Sequence, residues 1–112
     1  MHYHAHVYWH NEDQQRLSLK LREHLAALGC GLGRIMDRPI GPHPLPSYQV
    51  NYSSENSAAV ESLLARAGLD ILLHEDTGDD MRDHTEGARW LGQTLKLDLE
   101  WLENYTRNKY AQ

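Results

Sequence analysis

The sequence predicts an α+β fold of element order β-α-β-β-α-β, followed by a helical C-terminal region. Three observations carry this. Side chains alternate through His2-Tyr3-His4-Ala5-His6-Val7-Tyr8 and again through Tyr48-Gln49-Val50-Asn51-Tyr52, the period of a strand with two unlike faces. Apolar residues recur at spacings of three and four through Leu17, Leu21, Leu25 and Leu28, and through Val60, Leu63, Leu64 and Ala67, the period of amphipathic helices. The run Leu69-Asp70-Ile71-Leu72-Leu73-His74 is almost continuously apolar, as in a buried strand.

Each element has a local reason. Residues 1–9 form the first strand. Asn11 is a good N-cap, so a helix runs from Glu12 to about Leu28 and stops at Gly29. Residues 32–38 suit a short strand. Four prolines between Pro39 and Pro46 exclude any regular element there, because proline lacks a backbone donor. Tyr48, Val50 and Tyr52 mark the third strand. A second helix spans Glu55 to about Ala67 and stops at Gly68, and the fourth strand ends at His74. A polar loop then runs from Glu75 to Asp83. Asp83 reads as an N-cap with Glu86 completing a capping box, opening a helical region from Thr85 to Tyr105, or two helices if it breaks near Leu97. The whole is the split βαβ arrangement of ferredoxin-like folds, with sheet order 4-1-3-2 and both early helices on one face.

Composition narrows the function classes. At 112 residues the chain is expected to be a single domain, 1–112, with a small core. Eleven Lys and Arg against 16 Asp and Glu give a net charge of −5, so no basic surface is available for nucleic acid. No apolar run nears the ~20 residues that span a bilayer, and no secretory signal opens the chain. Cys30 is the only cysteine, which excludes an internal disulfide and suits a reducing cytoplasm.

The eight histidines are the chemically informative residues. On a strand, His2, His4 and His6 share one face, while Tyr3, Ala5 and Val7 suit the helix-covered one. The 4-1-3-2 order sets the end of strand four beside the start of strand one. His4, His6 and His74 therefore meet on the open face, and three imidazoles can ligate a metal while leaving positions free for a substrate. The plainer alternative is a solvated face with histidine as polar filler. His43 lies in Gly41-Pro42-His43-Pro44, held stiff by its prolines. It is either a ligand or general acid/base over that face, or a histidine facing water. Asp79, Asp80 and Asp83 precede His84; they could ligate, orient a ligating histidine, or simply start a helix. His10 is ambiguous at a strand end, and His24 reads as solvated. Trp90, Leu91, Leu95, Leu97 and Leu99 read as packing.

Taken in order, these blocks resemble a known family. His4-Ala5-His6-Val7-Tyr8, Gly41-Pro42-His43-Pro44, Gln49-Val50, Gly68-Leu69, Ile71-Leu72-Leu73-His74, Thr77-Gly78-Asp79-Asp80, Asp83-His84-Thr85 and Ala88-Arg89-Trp90-Leu91-Gly92 resemble the small DOPA 4,5-dioxygenase family of fungi and bacteria. The resemblance implies a ferredoxin-like homodimer that cleaves a catechol ring by extradiol chemistry, using non-haem Fe(II) and O₂. Another divalent metal such as Zn could occupy the site in a purified sample. The family's histidine motifs fall on His4, His6, His43, His74 and His84. On this reading His4, His6 and His74 bind metal, His43 and His84 are catalytic, and a carboxylate from Glu75, Asp79 or Asp80 could join the ligands. Glu75 stands where the family pattern has proline, and Trp9 where it has phenylalanine, which leaves the substrate open between DOPA and a related catechol. Two other functions compete: a non-enzymatic metal- or small-molecule-binding ferredoxin-like dimer, and a cofactor-free monooxygenase or structural dimer on the same scaffold.

Overall fold

A computed structural model describes residues 1–110, without the side chain of Tyr110. The elements run β1 (His2–Tyr8), α1 (Glu12–Ala27), β2 (Gly31–Leu32), β3 (Ser47–Ser53), α2 (Ser57–Ala65), β4 (Ile71–Glu75), α3 (Asp80–Asp83), β5 (Ala88–Leu91) and α4 (Leu99–Tyr110). One sheet holds all the strands in the order β2-β3-β1-β4-β5. Its pairings are antiparallel. The expected ferredoxin-like order is therefore present, with a fifth strand added beyond β4.

That fifth strand corrects the expected helix from Thr85 to Tyr105. Ala88–Leu91 instead pairs with β4, with His74 opposite Ala88 and Leu72 opposite Trp90. Gly87 and Gly92 bracket the segment, and Gly92 has φ +73, a turn conformation that would interrupt a continuous helix. Tertiary pairing sets the outcome here: a strand satisfies the outer backbone of β4, which a helix would leave bare. Among the described residues, only Leu99–Tyr110 is helical at the C-terminal end.

The core lies between the sheet and the first two helices. Ala5, Val7, Val50, Tyr52, Ile71 and Leu73 pack against Leu21 and Leu25 of α1 and Val60 and Leu64 of α2. The Asn11 side chain caps α1 by accepting from the Gln14 N–H. The predicted stripe of α1 needs one correction. Leu17 is 52% exposed, and Ser18 takes the inward place, three residues before Leu21. Its carbonyl accepts the Tyr48 hydroxyl at 2.6 Å.

The opposite sheet face is not open, as the sequence had suggested. His6 is 5% and His74 4% exposed. The proline-rich loop, α3 and α4 close over them. Two contacts tie this cover together. Asp98 N–H donates to the Pro42 carbonyl at 2.8 Å. The Trp101 ring lies against Gly41, where φ is +62 and an added Cβ would come within 3.2 Å of the indole. Only glycine serves both demands. Among the described residues, no helix is long and apolar enough to cross a membrane.

Candidate metal centre

Register in the sheet builds the site. His4 pairs with His74 across β1 and β4, and His6 pairs with Leu72, so all four point to the same face. On β3 the partners on that face are Asn51 and Gln49. The ligand atoms of His4, His6 and His74 lie within 4.8 Å of one another. The Nε2 atoms of His6 and His74 are 2.9 Å apart. Two nitrogens each about 2.1 Å from one ion, at right angles, sit about 3 Å apart. The spacing thus fits two adjacent ligands of a metal ion, and the three histidines could hold one.

Hydrogen bonds fix which nitrogens are free. His74 Nδ1 lies 2.7 Å from the Glu75 carbonyl, which can only accept. Nδ1 therefore carries the hydrogen, and Nε2 keeps its lone pair toward His6. This carbonyl partner is the usual outer support of a ligating histidine, orienting the ring and raising its basicity. His4 Nε2 lies 3.4 Å from Asp76, a carboxylate the sequence reading did not single out.

The site's electrostatics keep the imidazoles neutral. Burial holds His6 well below the ordinary histidine range, and the surrounding histidines push the same way. Burial also lowers His74 to about 4, opposed by its bond to the Glu75 carbonyl. His4 is lowered by burial and raised in part by Asp76. Neutral rings are the form that ligates a metal, so no deprotonation cost stands in the way near pH 7.

The two other motif histidines join the cluster. The His43 ring lies 4.3 Å from that of His6, and the His84 ring 4.3 Å from that of His74, centroid to centroid. Burial lowers His43 to about 4. His84 follows α3, and its Nδ1 donates to the Asp80 carbonyl at 2.7 Å. The fold brings together the three histidines expected to meet, His4, His6 and His74, and sets His43 and His84 beside them. His2 is exposed at the strand end. His10 pairs instead with Asp70 at 2.6 Å, away from the cluster, and His24 is exposed on α1.

The candidate carboxylates do other work. Glu75 faces Arg82 at 3.6 Å, and Asp80 faces Lys109 at 3.5 Å. Asp79 caps α3, its side chain accepting from the Arg82 N–H at 3.1 Å. That corrects the reading of Asp83 as the N-cap. Asp83 closes α3, is 2% exposed, and accepts from the Thr77 N–H at 2.8 Å and its hydroxyl at 2.7 Å. With Asp79 and Asp83 both spaced to cap a short helix, sequence alone did not separate them.

The cluster lines a cavity of about 230 Å³, walled by Trp101, Leu102 and Tyr105 of α4. Trp101 and Tyr105 stack at 5.2 Å, an aromatic wall that the sequence reading missed. A larger groove of about 730 Å³ meets the cluster at His84 and is lined by Thr85, Trp90, Leu95 and Leu97.

The profile of the Dopa 4,5-dioxygenase family matches residues 3–101. The chain is 36% identical over 108 residues to a DOPA 4,5-dioxygenase of Amanita muscaria, covering 87% of this chain and 47% of that protein. It is 31% identical over 120 residues to an uncharacterized 21.2 kDa protein of Botryotinia fuckeliana, covering 96% of this chain and 66% of that one. The chain therefore spans between about half and two thirds of the length of these curated relatives. It superposes on the crystal structure of a candidate dioxygenase from Nostoc punctiforme with a TM-score of 0.87 at 40% identity, covering 93% of this chain and 92% of that one.

Proposed function

Because the chain belongs to the Dopa 4,5-dioxygenase family, we propose that it is an extradiol ring-cleaving dioxygenase acting on DOPA or a related catechol with non-haem Fe(II) and O₂. The observation that carries this reading is the set of three neutral imidazoles, the half-buried His4 and the buried His6 and His74, whose ligand atoms converge. Imidazole donors suit Fe(II), and three of them leave positions unfilled. An Fe(II) ion held there would supply those positions to bring the two catechol oxygens and O₂ together. The reaction inserts both oxygen atoms, breaking the ring carbon–carbon bond beside the diol and leaving an aldehyde and a carboxylate.

The chain's own side chains do the rest. The Glu75 carbonyl fixes the His74 ring. Trp101 and Tyr105 offer an aromatic wall to a flat ring, and Leu102 helps exclude water. A cavity of about 230 Å³ is below the size of a drug-sized site and suits a single ring. The groove at His84 gives room for a substituent on that ring, which supports a substituted catechol over catechol itself. His43 and His84 flank the ring position and can move or hold protons there.

Anaerobic Fe(II)-loaded protein, mixed with a panel of catechols and then air, is expected to turn yellow and take up one O₂ per catechol. Full iron loading with no uptake for any catechol would point instead to a metal-binding module. The reading includes a homodimer, supported by β5 as an edge strand with an unpaired outer side. Light scattering at micromolar concentration should give twice the 12.9 kDa chain mass, and a monomeric mass would contradict it.

A further inference from the structure

Tyr8 ends the histidine strand two residues after His6, on the same face, and is fully buried. Its ring stacks on Trp90 of β5, centroids 6.0 Å apart and planes 20° apart. Its hydroxyl lies 2.7 Å from His43 Nδ1, across 35 residues of chain. Among the described residues, this nitrogen is the only hydrogen-bond partner of that hydroxyl.

The direction of this bond follows from what each atom can do. A buried hydroxyl hydrogen with no acceptor is costly. If His43 Nδ1 donated, the Tyr8 hydrogen would have nowhere to go. Tyr8 therefore donates, Nδ1 accepts, and in neutral His43 the hydrogen sits on Nε2. The bond at His84 runs the other way. Its Nδ1 faces the Asp80 carbonyl, an obligate acceptor, so in the neutral ring the hydrogen is on Nδ1 and Nε2 carries the lone pair.

We propose that Tyr8 is a positioning residue that locks His43 in the Nε2–H tautomer, opposite to that of His84. One flanking histidine then offers the cavity a hydrogen-bond donor and the other a lone pair. The consequence for turnover rests on the catechol reading above; the tautomers do not. With a catechol in the cavity, His84 is the side chain able to accept from its hydroxyl. His43 is the one able to donate to an oxygen that gains negative charge.

The test is long-range ¹H–¹⁵N correlation spectroscopy of the full, metal-free chain labelled in histidine. His43 should show a protonated Nε2 and a bare Nδ1, and His84 the reverse. In Tyr8→Phe, His43 should become a mixture of tautomers while His84 stays as it was. Turnover of the iron-loaded variant should fall by about 10- to 100-fold, as when an outer partner of a site histidine is lost. Iron content and KM should hold. A protonated Nδ1 on His43 in the unsubstituted chain overturns the proposal without any variant, as does a Tyr8→Phe spectrum in which His43 is unchanged. If the tautomers are as stated but no catechol supports O₂ uptake, the reaction is wrong and the tautomer assignment stands.

Discussion

Replacing His6 or His74 with alanine is expected to weaken Fe(II) binding by more than about a hundredfold, since losing even an outer partner of a ligand costs 10–100-fold. Both side chains are buried, and their Nε2 atoms are 2.9 Å apart. His4→Ala should also lower metal content, but less steeply, because His4 is only half-buried and its Nε2 faces Asp76. Metal analysis after anaerobic loading and desalting checks this, with thermal melts of the metal-free variants as the control for folding. Wild-type metal content in all three variants would place the site elsewhere.

The second large effect is expected at His43. His43→Gln keeps a side chain that can accept from Tyr8 and present an N–H to the cavity, but it cannot carry a proton. Stability should stay within about 1 kcal/mol, as for a substitution outside the core. Turnover should fall by about a hundredfold or more, the scale of a lost general acid or base. Loss of folding would make His43 a structural residue, and normal turnover would make it a bystander. Melting and steady-state kinetics on one sample separate these outcomes.

Much of this site was legible because a strand has a period of two. The placement of His4 and His6 on one face and of Ala5 and Val7 on the other needed only alternation, and their meeting with His74 needed only the sheet order. His43 and His84 were harder. No periodicity links a proline-flanked loop or the end of a four-residue helix to a strand 35 or more residues away, so the stiff loop leaves His43 open between site and solvent, and the resemblance is what adds both residues to the set. Tyr8 gave no signal of its own, since its partner lies in that same loop.

The errors also have physical causes. Trp90, Leu91 and Leu95 share a helical spacing, but Gly87 and Gly92 enclose a four-residue strand that β4 needs as a neighbour. Those two glycines were the available clue. Counting only two covering helices leaves the second sheet face open. Irregular chain from 33 to 46, with α3 and α4, supplies the missing cover, and patterning does not reveal where a loop folds back. That cover matters most to function, because it turns a surface row of histidines into a buried, neutral, ligand-ready set.

X-ray absorption at the iron edge of the Fe(II)-loaded chain, beside the same spectrum of His74→Ala loaded at high iron, tests the metal assignment most directly. Three imidazoles should account for the outer-shell scattering in the first spectrum and two in the second. An unchanged imidazole count in His74→Ala, or a first spectrum without imidazole scattering, would contradict a centre built on His4, His6 and His74.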